Sequence, residues 1–131
     1  MQDITKELKR LVAFNFQTIA SDTTTGGNAI DLQGYEACDF TIVAGNLTDG
    51  VYTPLIEESD ASGSGYTAVD DADLIGLEAD AAVDADNEIK TIGYVGHKRY
   101  VKLSVVSSAT TSGGPVGAIA TLGHARHNPV S

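Results

Sequence analysis

The sequence predicts a single-domain, all-β protein of the sandwich or barrel class, and three observations carry that expectation. Short segments rich in Val, Ile, Thr, Phe and Tyr recur at roughly even spacing, separated by Gly, Asp, Asn and Ser turns. Several of them alternate apolar and polar residues. The clearest is Tyr100-Val-Lys-Leu-Ser-Val-Val106, where Val101, Leu103 and Val105 share one face and Tyr100, Lys102 and Ser104 the other. The composition agrees, with 14 Gly, no Trp and 42% hydrophobic residues. At 131 residues the chain is long enough to bury one real core.

The elements follow in order. Residues 1–12 read as a short N-terminal helix or arm, because Ile4, Leu8, Leu11 and Val12 fall on one helical face. Residues 14–19 read as a strand with Phe14 and Phe16 on one side and a change of register near Thr18. After a polar loop, residues 29–33 form a short strand and residues 34–36 a turn. Residues 37–44 are a strand with Phe40, Ile42 and Ala44 on one face. Asp49-Gly50 turns the chain into a strand over 51–58, which Pro54 places at a sheet edge or beside a bulge, because proline has no amide hydrogen to donate.

Residues 66–69 pair back on that strand. Residues 70–76 read as a helical turn capped by Asp70 and closed by Gly76. Residues 77–87 are an acidic loop. A strand over 88–94 leads through turns at Gly93 and Gly96 into the strand from Tyr100. The last strand covers 115–123, with Gly and Ala suited to close backbone packing. The expected organisation is arm 1–12, sandwich 13–123 and tail 124–131.

Net charge is −10, which argues against a general nucleic-acid binder, since phosphate neutralisation requires Lys and Arg. No apolar run approaches the roughly 20 residues of a membrane span, and no secretion signal is visible, so synthesis in a cytoplasm is expected. The charge is unevenly placed. Residues 49–88 hold twelve acids and no Lys or Arg, whereas residues 97–131 hold Lys98, Arg99, Lys102 and Arg126 and no acid. Two readings stay open: a molecule polar in charge and suited to oriented contact, or a solvated acidic loop that keeps the protein soluble.

Catalytic and metal chemistry find little support. The single Cys38 excludes an intramolecular disulfide and reads as a small buried hydrophobe. Asp84, Asp86 and Glu88 have the opening spacing of a calcium loop, but Ile89 and Val95 stand where that loop needs Gly and Glu. His97, His124 and His127 would all have to converge to hold zinc, and Pro129 opposes a helix at the tail. No nucleophile-elbow, Walker or zinc-protease motif occurs. Adjacent carboxylates such as Glu57-Glu58 point to opposite faces of a strand and make poor acid/base pairs. No enzyme activity, cofactor or metal is expected.

Three stretches carry a resemblance: Ile30-Asp-Leu-Gln-Gly-Tyr-Glu36, Asp49-Gly-Val-Tyr-Thr-Pro-Leu-Ile-Glu-Glu-Ser-Asp60, and Ile92-Gly-Tyr-Val-Gly-His-Lys-Arg-Tyr-Val101 with the closing Gly123-His-Ala-Arg-His-Asn-Pro-Val130. They resemble small virion proteins from the head-gene region of tailed bacteriophages. The resemblance implies an auxiliary structural protein, a capsid decoration or cement protein that sits as an oligomer on the capsid surface and strengthens it. The implied partners are the major capsid protein and further copies of the chain, as a dimer or trimer, and the implied location is the virion.

With that, the expected fold is a jelly-roll-like antiparallel β-sandwich. The expected capsid or subunit contact comprises Lys6, Lys9, Arg10, Lys98, Arg99, Lys102 and Arg126, because the basic residues and the terminal arm lie there. The rival expectations are a head-tail joining or tail structural protein, and a carbohydrate- or cation-binding β-sandwich module.

Overall fold

The computed structural model describes residues 8–125. Its strands are β1 (Lys9–Ile19), β2 (Thr24–Thr25), β3 (Ala29–Asp31), β4 (Tyr35–Ala44), β5 (Val51–Ser59), β6 (Thr67–Ala68), β7 (Leu74–Ile75), β8 (Ile89–Tyr94), β9 (Tyr100–Ser108) and β10 (Gly114–Ala125). They build two antiparallel sheets, one in the order β1-β10-β4-β8-β7 and the other β2-β9-β5-β6, with β3 also on β9.

The period-2 pattern decides what each sheet buries. In β4 the side chains of Cys38, Phe40, Ile42 and Ala44 point inward, and in β10 those of Val116, Ala118, Ala120 and Leu122. The second sheet answers with Val101, Leu103 and Val105 of β9 and Tyr52 and Ile56 of β5. All belong to one core cluster. The core is filled mostly by aliphatic side chains and alanine, with Phe14, Phe40 and Tyr52 as its largest fully buried members. The Tyr52 hydroxyl reaches the end of the sandwich and donates to the carbonyls of Ile19 (3.2 Å) and Asp49 (3.1 Å).

Pro54 sits in β5 without loss. β6 covers that strand only at Glu57 and Glu58. Beyond it the strand's outer edge is met piecemeal: the Ile56 amide donates to a Glu78 carboxylate oxygen (2.6 Å), and Tyr52 and Val83 exchange backbone hydrogen bonds (2.9 Å each). Position 54 lies between these two, with its missing donor directed to the uncovered edge. The locally incomplete edge expected from the proline is therefore present.

Several expectations are corrected. Lys9 to Val12 are not helical but open β1, where pairing with Thr121 to Leu122 and Ile119 to Ala120 satisfies the backbone that a helix would have satisfied locally. The rest of the predicted helix, residues 1–7, lies outside the described residues. Phe14 and Phe16 do not share a face: Phe14 is fully buried and Phe16 is 56% exposed. The cause is the second of two bulges in β1, where the chain carries an extra residue after Val12 and again between Phe14 and Gln17. Gly93 is a strand residue opposite Asp39 rather than a turn. The last strand runs to Ala125, two residues past its predicted end. Asp70 precedes a helical turn at Asp71–Asp73 but makes no side-chain cap, and Leu74–Ile75 then join the first sheet as β7. The loop predicted over 21–28 contains β2, and the acidic loop contains a second short 3-10 helix, Ala79–Ala81.

Candidate functional site

The antiparallel order brings the start of β1, the end of β10, the β3–β4 turn, the β5–β6 turn and the β8–β9 loop to one end of the sandwich. Leu8 lies against Gly123 there, so both ends of the described chain leave the sandwich together. The same end holds a cleft of about 540 Å3 between the β3–β4 turn and the β8–β9 loop, walled by Tyr35, Cys38 and Tyr94 and rimmed by Glu36, His97 and Arg99.

Of the basic residues expected to form the contact, Lys9, Arg10, Lys98, Arg99 and Lys102 lie at this end, and Lys98, Arg99 and Lys102 each have a partner within the chain. Arg99 makes a two-pronged pair with Asp31 (Nε to Oδ1 3.0 Å, Nη2 to Oδ2 2.9 Å) and lies 5.0 Å from the Tyr100 ring centre. Lys98 donates to Asp60 Oδ2 at 2.9 Å. Lys102 sits over the Tyr66 ring at 4.5 Å and opposite Glu57 in the strand register. Lys9 adds a weaker attraction to the Asp31 carboxylate. Arg10 stands exposed on the outer side of β1. Lys6 and Arg126 lie outside the described residues. Asp31, Asp60 and Tyr66, which complete these contacts, carry no signal in the sequence that links them to residues 98–102; only strand pairing joins them.

These contacts also change the reading of the charge. Acids from residues 49–88 and bases from beyond residue 97 meet at this end, so the two segments do not form opposed surfaces there. Elsewhere the acids hold loops. Asp49 accepts from the amides of Thr111, Ser112 and Gly113 at 2.8–3.2 Å. Asp22 accepts from Thr110 (2.8 Å) and Asp86 from Leu47 (2.7 Å). Glu88 takes the Asp84 amide at 2.9 Å, so the third carboxylate of the calcium-like spacing serves the backbone.

Tyr94 anchors the floor of the cleft. Its hydroxyl donates to Glu58 Oε1 (2.7 Å) and accepts from the Lys98 amide (3.1 Å), which fixes the start of the basic loop. Burial and the Glu58 hydrogen bond raise its ionisation above the usual phenol range. Cys38 is buried in the cleft wall, and desolvation pushes its thiol up to about 12, so it stays protonated and a weak nucleophile at neutral pH. Among the described residues no three His, Cys, Asp or Glu side chains converge to hold a metal ion.

The carboxylates predict an acid sensitivity. The Arg99 pair holds Asp31 below the ordinary range, and the three loop amides do the same for Asp49. A carboxyl whose folded value is lowered binds fewer protons in the folded state than in the unfolded one. Its contribution is present above the unfolded value near 4 and is lost as pH falls through the lower folded value. Burial raises Glu78 and Asp39, which act in the opposite sense. The melting temperature should therefore fall between pH 5 and pH 3, and Asp49→Asn should flatten that fall while lowering stability at pH 7. Thermal melts at stepped pH check it; an unchanged slope in Asp49→Asn would count against the clamp.

In comparisons with known proteins, no family model and no curated protein sequence matches the chain.

Proposed function

We propose that this protein is a structural virion protein, a capsid decoration or cement protein that oligomerises on a tailed-phage head and stabilises it, with the major capsid protein as partner. The observation that carries the reading is the gathering of both ends of the described residues and the 95–99 loop at one end of the sandwich. A cement protein needs such a compact foot, because terminal segments and loop can then engage the shell together. The strand order supports the fold half of the reading. With β7 taken as part of a connection, β1-β10-β4-β8 and β3-β9-β5-β6 follow the order that two Greek keys give in an eight-stranded jelly roll.

Because Lys98, Arg99 and Lys102 are paired within the chain, their role at the shell is to shape and hold this end as well as to supply charge. Ion pairs this exposed to water contribute little to stability, so the sandwich should fold without them. The triple variant Lys98→Glu/Arg99→Glu/Lys102→Glu is expected to keep its circular dichroism spectrum and to lose at least about 10-fold in binding to undecorated heads of the encoding phage. Co-sedimentation measures it, and decoration equal to wild type would sink the assignment of this end. A head-tail joining or tail role would appear in cryo-EM as density at the portal or along the tail. The cleft beside Tyr94 and His97 favours a second reading as a small-carbohydrate-binding module, which calorimetry with a glycan panel addresses.

A further inference from the structure

The outer face of the β1-β10-β4-β8-β7 sheet carries most of the exposed large hydrophobic side chains among the described residues. Among the six large hydrophobic side chains most exposed in the described residues, four stand on it: Val12 (50%), Phe16 (56%), Ile75 (65%) and Ile89 (62%). They are built in rather than stray. Gly117 of β10 has no side chain, and the Phe16 ring occupies the space that a Cβ there would need. Gly93 of β8 is covered in the same way by Ile75, at 3.1 Å from where its Cβ would be. Two edge strands thus each lean an apolar side chain inward over a glycine. The outer face of the other sheet is different, with Lys102 opposite Glu57 and Ser104 opposite Leu55.

The polar groups on this face are arranged in a way that selects what covers it. The register places Arg10, Thr121 and Asp39 side by side on β1, β10 and β4. One row along come Val12, Ile119 and Thr41, and beyond them Phe16 over Gly117, beside Val43. Arg10 and Asp39 are two strands apart, roughly 10 Å at the usual strand spacing. Neither makes an ion pair among the described residues. Partial burial raises the Asp39 carboxyl above its ordinary range, the direction expected of an acid without a cation beside it.

A second copy turned about an axis along β10 would satisfy both groups at once. That rotation exchanges the β1 and β4 columns within each row. Arg10 then faces Asp39 of the other copy, twice over. Val12 meets Thr41, Phe16 meets Val43, and Ile119, on the axis, meets itself. Face-to-face packing of sheets with nearly aligned strands is an ordinary β arrangement, and a self-complementary patch is what a two-fold contact requires.

We propose that this face binds a second copy of the chain, with a two-fold axis along β10 and reciprocal Arg10–Asp39 contacts. The inference names the surface through which copies meet and so rests on the oligomeric reading above, but the two fail separately. The capsid contact belongs to the end of the sandwich, and this contact belongs to one of its faces.

Light scattering and sedimentation equilibrium on the full chain test it. The expected mass is twice 13.6 kDa. Arg10→Asp and Asp39→Arg should each weaken the dimer at least about 10-fold, because each sets like charges together at both contacts. The double exchange Arg10→Asp/Asp39→Arg should return it to within about 3-fold of wild type, since the pairs are rebuilt with reversed sign. Ile119→Cys should be joined into a covalent dimer by a short bis-maleimide cross-linker, which spans two thiols on facing sheets about 10 Å apart, and Leu55→Cys on the opposite sheet should not. Circular dichroism melts confirm that each variant is folded. A monomer at all concentrations, failure of the double exchange to rescue, or cross-linking through residue 55 but not 119 would each overturn the proposal. A monomer that still decorated heads would overturn this contact while leaving the capsid reading intact. A wild-type dimer that the single exchanges weaken as predicted but that fails to decorate heads would do the reverse.

Discussion

Gly27→Ala should destabilise the protein by about 3 kcal/mol or more, at the upper end of what overpacking costs. Gly27 lies between β2 and β3, both paired with β9, at the crossing where this edge of the second sheet passes against β1 of the first. A Cβ there would meet the carbonyl oxygens of Leu103 in β9 and Ala13 in β1, backbone on both sides with no side chain to swing away. The same crossing closes one side of the sandwich. The Asn28 amide donates to the Ala13 carbonyl (2.7 Å), and its side-chain nitrogen donates to the Val12 carbonyl (3.0 Å) and to Asn15 Oδ1 (3.1 Å). Ala29 then pairs with Lys102 in the second sheet. Forcing the crossing outward would strain all of these bonds together. One residue earlier, Gly26 has nothing within 4 Å of its Cβ position, and Gly26→Ala should stay within about 0.5 kcal/mol of wild type. Urea unfolding of both variants makes the comparison, and equal midpoints would show that the crossing is looser than described.

Phe40→Ala should cost about 3–5 kcal/mol, a large share of the stability of a domain this size. Phe40 is fully buried at the middle of β4, between Ala120 of β10 and Ile92 of β8 in the register. Its small neighbour Ala120 cannot collapse into the space left, so most of the cavity would persist. Ile89→Ala on the outer face, where the side chain is 62% exposed, should cost far less. Guanidinium unfolding at low protein concentration separates the two. A Phe40→Ala loss below about 1 kcal/mol would mean that the core is not packed as described.

The fold class was legible because alternation is a local property. Val101, Leu103 and Val105 face the core as their spacing requires, and so do Phe40, Ile42 and Ala44. Pro54 marked the one stretch of β5 whose outer edge lacks a strand partner. The errors came where a distant strand sets the answer. The apolar spacing of Leu8, Leu11 and Val12 suits a helix or a strand end equally, and β10 decides for the strand. Phe16 parts from Phe14 and leaves the core because the bulge between Phe14 and Gln17 turns it to the outer face over Gly117, and no local pattern announces a bulge.

The candidate site divides in the same way. The cluster Lys98, Arg99 and Lys102 could be picked out by eye in an acidic chain. That Asp31, Asp60 and Tyr66 hold it could not, since those residues are brought in by β3 and by the β5–β6 turn. By itself the sequence determined an all-β chain, the inward residues of β4 and β9, and the absence of a catalytic or metal motif. Tertiary structure alone decided which charges pair, that both ends of the described residues share one end of the sandwich, and that one sheet's outer face exposes Val12, Phe16, Ile75 and Ile89 beside Arg10 and Asp39, which form no ion pair among the described residues. The physical reason is that alternation is written within a single strand, whereas pairing and exposure depend on which strands lie side by side.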